Sequence, residues 1–315
     1  MSLERALELA QAARGQAYPR PTVGAVVVRD GTVVGEGVTE AMTETGGRHG
    51  EVVALAAAGE RARGGTLYVT LEPCTHHGRT PPCVDAIRAA GIAKVVAGSR
   101  DPNPLAAGGL EQLRAGGIEA VHVASAAARR QHEAWRMWVV EARPFVTLKV
   151  AATLDGRVTV PGSRWVSGAE SRRLVHELRA ANDAVAVGMG TVRLENPRLD
   201  ARDVPVTRQP RRLAFGRGPL PAGSELELRP GSLVEELREL GEDGVQSLLL
   251  EGGPTLAGAF LRARLVDKLL LFLAPILSGQ GPGILDHLDE PSRLHAVTSS
   301  RVGDDVLVEA YLREP

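Results

Sequence analysis

Aromatic side chains make up only 3% of this 315-residue chain, cysteine occurs twice, and neither sign of charge predominates. Two cysteines cannot staple a chain of this size, which excludes a disulfide-held secreted scaffold and leaves the thiols as metal ligands or core groups in a reducing compartment. A formal net charge of -1 sets up no general basic field for phosphate backbones, and so few aromatics offer little surface for stacking bases. No nucleic-acid partner is expected. The longest apolar run, residues 269–277, contains Pro275 and has about half the length that a bilayer-spanning helix needs, so no membrane partner is expected either. The opening Met1-Ser2-Leu3-Glu4-Arg5-Ala6 places an acid early and lacks a long apolar core. That argues against a secretory signal and for a cytoplasmic protein.

The remaining composition, 43% hydrophobic and 24% charged, is that of an ordinary globular chain, and the length suits two domains. Residues 23–29 and 32–37 are strand-like runs joined by Asp30-Gly31, a strong hairpin signal. The pattern then alternates: a helix near 50–62, a strand at 66–71, a helix near 83–90, a strand at 94–98, a helix near 107–115 and a strand at 118–123. Such alternation predicts α/β layering. Residues 125–143 read as one helix leading to Pro144, which places a domain boundary there, with domains at 1–143 and 144–315. The second half repeats the alternation, with strands at 145–151, 183–187, near 211–215, at 246–250, near 266–273 and near 304–312, and helices at 169–181, 232–240 and 254–263. The Pro-, Arg- and Gly-rich stretch 203–231 reads as surface loop and irregular connection.

Candidate chemistry concentrates first at helix starts. His49-Gly50-Glu51 opens a helix, while Pro73-Cys74 and Cys83 follow a strand and open the next helix. One imidazole and two thiolates would give a zinc ion three protein ligands and leave its fourth tetrahedral position to water, the open geometry of a catalytic site. Glu51, two residues from His49, can then point into the site without being a ligand and shuttle protons. The arrangement matches the His-x-Glu and Pro-Cys signature of zinc nucleobase deaminases, except that eight residues separate the cysteines where two are usual. His76 and His77 lie between them; they could compete as ligands, but as loop neighbours they read better as lining for a substrate phosphate.

The second half offers a Gly252-Gly253-Pro254-Thr255 turn between a buried strand and a helix. Small residues there let backbone amides and the helix N-terminus approach a phosphate. The turn is not a dinucleotide-binding G-x-G-x-x-G, and its residues alone read equally as a tight connection.

The run from Thr70 to Cys83, with Asp101-Pro102-Asn103-Pro104 after it, resembles the deaminase domain of the bifunctional deaminase/reductases of riboflavin biosynthesis. The likeness extends through residues 148–157, Ser163-Arg164-Trp165 and residues 251–258, so it spans nearly the whole chain. It implies a cytidine-deaminase-like, three-layer α/β/α domain with His49, Cys74 and Cys83 holding Zn²⁺ and Glu51 as the catalytic proton donor. It also implies a dihydrofolate-reductase-like α/β domain using NADPH. There Ala151, Trp165, Thr191, Glu195 and the turn Gly253, Pro254, Thr255, Leu256, Ala257, Gly258 and Ala259 would contact the dinucleotide. Ser163, Arg179, Leu199, Arg202 and Glu251 would contact the substrate, and a guanidinium forks well onto phosphate oxygens. Trp165 could otherwise be a core aromatic, and Asp155 reads as a turn former before it reads as a polar helper.

The resemblance implies a phosphoribosyl-pyrimidine as the small-molecule substrate of both steps and a homo-oligomer, dimer or tetramer. The chain departs from the family pattern at several points. Arg20 stands where Asn is usual, Gly50 where Ala is usual, and Val38-Thr39-Glu40 where a histidine is expected. The loop around Gly108-Gly109 is shortened, a strand-helix segment between 211–215 and 232–240 is missing, and Gly216-Arg217-Gly218 replaces an Asp-Ser pair. These positions bear on base recognition and on the adenosine side of the cofactor. Two rival readings follow: a deaminase whose reductase domain is degenerate, and a nucleobase deaminase with a binding module.

Overall fold

A computed structural model describes residues 2–43 and 46–313. Contacts divide the chain into two compact units, 1–140 and 141–315.

In the first unit, β1 (Gly24–Arg29) and β2 (Thr32–Val38) form the expected antiparallel hairpin. Asp30 and Gly31 both turn it with positive φ, the geometry that Asp-Gly favours. A five-stranded sheet in the order β2-β1-β3-β4-β5 is completed by β3 (Thr66–Val69), β4 (Lys94–Ala97) and β5 (Glu119–His122). The last three run parallel, with α3 (Cys83–Ala89) and α4 (Gly109–Ala115) as crossovers.

Helices cover both faces of this sheet, because β1 and β2 carry glycines where helices press close. A Cβ on Gly24 would lie 1.9 Å from the Ala6 carbonyl of α1 (Ser2–Ala12), and one on Gly37 would lie 2.4 Å from the Gly50 carbonyl of α2 (Gly50–Ala58). Ala25 pairs with Gly37, so Gly24 and Gly37 face opposite sides. The result is a three-layer α/β/α unit.

Two details differ from the sequence reading. Helix α1 was not expected, because its buried residues are the alanines Ala6 and Ala10, too small to give a strong apolar period. The single helix expected over 125–143 is two, α5 (Ala126–Gln131) and α6 (Glu133–Glu141). They part at His132, which is fully buried with Nε2 3.2 Å from Thr70 Oγ1.

The second unit is an eight-stranded sheet in the order β12-β13-β11-β6-β10-β7-β8-β9. Strands β6 (Phe145–Thr153), β7 (Ala184–Gly188), β8 (Arg211–Phe215), β9 (Glu227–Arg229), β10 (Ser247–Leu250) and β11 (Lys268–Ala274) run parallel. Antiparallel β12 (His295–Val302) and β13 (Asp305–Tyr311) finish one edge. Helices α7 (Ala169–Ala181), α8 (Met189–Glu195), α9 (Leu233–Glu242) and α10 (Pro254–Arg262) connect the strands.

Leu148, Leu248, Leu250, Phe215 and Phe260 form the core, with Phe215 and Phe260 in a T-shaped contact at 5.4 Å. Each such buried side chain contributes on the order of 1.5–3 kcal/mol. Strand β12 escaped the sequence reading because it is a mostly exposed edge without alternation. Helix α8 and short β9 escaped it too. β9 places a parallel strand inside the stretch expected to be irregular and supplies the strand, though no helix, of the segment that had read as missing. Among the described residues, no helix is long and apolar enough to cross a membrane.

Candidate active sites

The first site forms where two helices begin. His49 is the N-cap of α2 in an extended conformation, and its side chain caps nothing in the helix, which leaves the imidazole free to turn outward. Cys83 starts α3, and its N–H donates to Cys74 Sγ at 3.4 Å. His49 Nδ1 lies 3.2 Å from Cys83 Sγ and 3.5 Å from Cys74 Sγ. All three donor atoms fall within 4.8 Å, the one such His, Cys, Asp and Glu cluster among the described residues. Metal–ligand bonds of about 2.0–2.3 Å around a tetrahedral zinc ion put donor atoms roughly 3.3–3.8 Å apart, so these residues fit the metal.

The charges in the cluster also suit a cation. Hydrogen bonding from Cys83 brings the Cys74 thiol down to about 4, and the same pairing together with burial pushes Cys83 up. The pair therefore holds one thiolate and one proton, and a metal displaces that proton. The hydrogen bond to Cys74 raises His49. Glu51 is buried beside them, and burial raises its carboxyl, as a group that must both take and give a proton near neutrality requires.

These groups open onto a cavity of about 310 Å³. Its walls include three residues to which the sequence reading gave no separate role: Glu72, Asp101 and Asn103. Glu72 Oε2 accepts the Asp101 N–H, and its Oε1 accepts from Leu110 N and Arg100 Nη1, so it holds the loop after β4 against the metal side. Burial raises Asp101 to about 6. His76 lines the cavity, while His77 is exposed against Gly78; neither belongs to the cluster.

The departures from the family pattern now have physical causes. A Cβ on Gly50 would lie 2.3 Å from the Val23 carbonyl, which excludes alanine while that carbonyl stays in place. Thr39 is buried and its Oγ1 accepts the Val23 N–H at 2.9 Å, bridging the ends of the hairpin. Arg20 donates from Nη1 to Gly47 O at 2.7 Å and from Nη2 to Glu40 O at 2.8 Å.

The second site lies at the carboxyl ends of parallel strands, where α/β sheets take ligands. Glu251 follows β10, and its carboxylate receives Arg179 of α7 bidentately, at 2.6 Å from Nε and 3.0 Å from Nη2. Burial pushes the Glu251 carboxyl up, but Lys149 and Arg179 together hold it below the usual range. Lys149 Nζ of β6 is 3.7 Å from Glu251. It was missed as a functional residue; the available signal was a lone lysine in an otherwise apolar strand.

Arg179 Nη1 also donates to the Asp200 carbonyl, and the Asp200 carboxylate pairs with Arg198 and Arg202. A cavity of about 800 Å³ gathers Trp165, Arg179, Glu195, Leu199 and Arg202 with Arg164 and Arg198. Trp165 is 49% exposed between Arg164 and Arg172, so it is not a core aromatic.

The other expected contacts are not among the residues that line this cavity. Ser163 is exposed, and its Oγ bonds to the Trp165 backbone. Ala151 packs partly buried against Leu270 and Phe272. Thr191 Oγ1 comes within 3.9 Å of where a Gly253 Cβ would stand. Gly253 caps α10 with no side-chain hydrogen bond, and Pro254 starts the helix. The first-turn N–H groups are therefore left for a phosphate, a fit for a dinucleotide. Ala257 and Gly258 are buried, Leu256 packs at Gly188, and Thr255 is the exposed member of the turn, with Ala259 between. Ala257 is 0% exposed and its N–H donates to the Gly253 carbonyl at 3.0 Å, so it presents nothing directly to a ligand. Asp155 serves the turn: it accepts from Thr153 Oγ1 and from the Ser278 and Gly279 N–H groups, which lowers it to about 2.

Comparison with known proteins gives a consistent picture. The family model for the cytidine and deoxycytidylate deaminase zinc-binding region matches residues 1–99, and that for the RibD C-terminal domain matches 144–221 and 227–308. The riboflavin biosynthesis protein RibD of Aquifex aeolicus is 39% identical over 97% of this chain and 96% of its own. That of Escherichia coli is 37% identical over 88% of each. Among solved structures, the diaminohydroxyphosphoribosylaminopyrimidine deaminase/5-amino-6-(5-phosphoribosylamino)uracil reductase of Thermotoga maritima superposes with a TM-score of 0.86. It is 34% identical and covers 98% of this chain and 97% of its own.

Proposed function

The chain belongs to the RibD family of riboflavin biosynthesis proteins, and from that membership we propose how its residues divide a deamination and a reduction between them. It is a bifunctional enzyme with a zinc-binding deaminase domain and an NADPH-dependent reductase domain. We assign the deaminase to residues 1–143 and the reductase to 144–315. The observation that carries the first assignment is the His49, Cys74 and Cys83 cluster with buried Glu51 beside it.

In the first step 2,5-diamino-6-ribosylamino-4(3H)-pyrimidinone 5′-phosphate and water yield the ring carbonyl and ammonia. Zinc held by His49, Cys74 and Cys83 supplies Lewis acidity that lowers the pKa of a water to about 7. Glu51 takes a proton from that water, delivers it to the ring nitrogen next to the amino-bearing carbon, and returns a proton to the departing amine. Its burial raises the carboxyl above the usual carboxylate range, which eases the return of the proton it has taken. Glu72 keeps Asp101 and Asn103 on the cavity wall that faces the ring.

In the second step the ribosyl, opened at C1 as carbonyl or imine, becomes a ribityl chain; NADPH, held by the reductase domain, would supply the hydride to C1, and solvent the proton to the oxygen or nitrogen. Here orientation carries most of the rate. Ala151, Trp165, Thr191, Glu195 and the turn 253–259 hold the dinucleotide. Ser163, Arg179, Leu199, Arg202 and Glu251 hold the substrate, the two guanidiniums on its phosphate. The two free, buried thiols support a cytoplasmic setting, and family membership supports a homo-oligomer, dimer or tetramer, which light scattering reads directly.

The test is NADPH oxidation by the zinc-loaded protein given the deaminase substrate in place of its deaminated product. Loss of NADPH absorbance is expected, because it requires both sites in sequence. Ammonia release without it would leave a deaminase with a degenerate reductase domain.

A further inference from the structure

Arg20 is fastened from one side only. Its Nη1 and Nη2 are held by the carbonyls of Gly47 and Glu40, which orients the guanidinium plane. A Cβ on Gly47 would lie 2.2 Å from the Ala41 carbonyl and 2.7 Å from Nη2, so the loop packs closely here against both backbone and arginine. Its Nε–H is buried and has no partner among the described residues. Among the described residues no carboxylate is hydrogen-bonded to it: the nearby Glu40 side chain pairs with Arg48, through Nη2 at 2.6 Å and the backbone N–H at 2.9 Å, and favours the Arg20 cation only through space. Burial disfavours the cation most, the Glu40 charge favours it, and the neighbouring charge of Arg79 disfavours it. Arg20 as a whole is only partly buried, but a buried donor such as its Nε–H is costly to leave unmatched. Arg20 nonetheless lines the same cavity as His49 and Glu51, with Arg79 and His76 on its wall.

From this geometry we infer that Arg20 is a substrate-binding residue of the deaminase, giving its free Nε–H and its charge to an oxygen of the phosphorylated pyrimidine. The inference rests on the deaminase reading above. It adds a specificity consequence: a guanidinium only donates, whereas the asparagine usual at this position both donates and accepts. The ligand atom at Arg20 is therefore an acceptor oxygen, on the phosphate or on the ribosyl-pyrimidinone.

Ammonia release by the zinc-loaded full chain tests it, with Arg20→Gln and Arg20→Lys assayed on the phosphorylated substrate and on its dephosphorylated ribosyl analogue. Loss of a charge-assisted hydrogen bond corresponds to roughly 10- to 100-fold in binding. Arg20→Gln should raise KM by about that factor with kcat and zinc content kept, and Arg20→Lys should raise it less. A rise confined to the phosphorylated substrate assigns the phosphate; an equal rise on both assigns a ribosyl or ring oxygen. An unchanged KM, or a fall in kcat and zinc content at unchanged KM, overturns the inference and makes Arg20 a brace for the loop. If Arg20→Gln does not fold, Arg20→Lys decides by the same criteria. A wild-type protein that releases no ammonia would instead sink the deaminase reading.

Discussion

The two sites solve different problems. The deaminase site is small and mostly buried, its ligand atoms lie within 4.8 Å, and its proton carrier is a buried carboxyl. The proposed reductase site has a cavity of about 800 Å³ lined by arginines, with the uncapped start of α10 outside that lining. Proton transfer at a metal tolerates few residue types at few positions. Hydride delivery needs two large ligands set at the right distance, which many side chains and much backbone can share. Single substitutions should therefore be severe and local in the first site and graded in the second.

The sharpest break is at Glu51. Glu51→Gln should lower ammonia release by about a thousandfold, within the usual range for a general acid–base, and leave NADPH oxidation with the deaminated product unchanged. Parallel loss of both activities would deny that the sites work separately. Next comes Arg179→Ala, which strands the Glu251 carboxylate beside Lys149. Removing one partner of a buried pair costs about 3–5 kcal/mol. Reductase activity should drop by about a hundredfold or more, the second unit should melt earlier, and ammonia release should persist.

A smaller effect distinguishes the units by pH. His132 is lowered to about 3 by burial, so between the ordinary histidine value and about 3 the unfolded chain binds the extra proton. Stability of the first unit should fall as pH drops through that window, by up to about 1.4 kcal/mol per pH unit. His132→Gln should flatten the slope in urea titrations; an unchanged slope would show that another group sets it. The smallest expected effect is at the helix caps. Ser125 accepts from Ala128 N at the start of α5, and Ser232 from Glu235 N at the start of α9. Replacing either by alanine should cost about 1 kcal/mol, read in thermal melts as a shift of its own unit with both activities intact.

The same contrast governs how much could be read in advance. His49, Glu51, Cys74 and Cys83 were legible because zinc chemistry restricts the residue types and the elements that carry them. The hairpin at Asp30-Gly31 and the strand-helix alternation were legible because their turn residues and periodicities are local. Lys149 was not, since a lysine in a strand gains a role only from Glu251, a hundred positions on, being brought 3.7 Å away. Glu72 likewise acts through Asp101 and Leu110, which no spacing along the chain brings to it. Helix α1 hid behind alanines that matter only because Gly24 lets them approach, and β12 hid as an exposed edge whose pairing with β13 is its main signature.

Residue order alone carried what depends on neighbours a few positions apart: the α/β class, the hairpin, the His49, Cys74 and Cys83 donors with the glutamate proposed as their proton carrier, and the motifs that mark both halves of the chain. Folding settled what depends on distant groups meeting in a low dielectric. It brought Cys74 and Cys83 to His49 at 3.5 and 3.2 Å, tied Glu251 to Arg179 and Lys149, and turned the helix at 125–143 into two around a buried histidine. It also left the Arg20 Nε–H, with a few other buried polar atoms, without a partner among the described residues, because whether a polar atom finds a partner is decided only when the surfaces around it close.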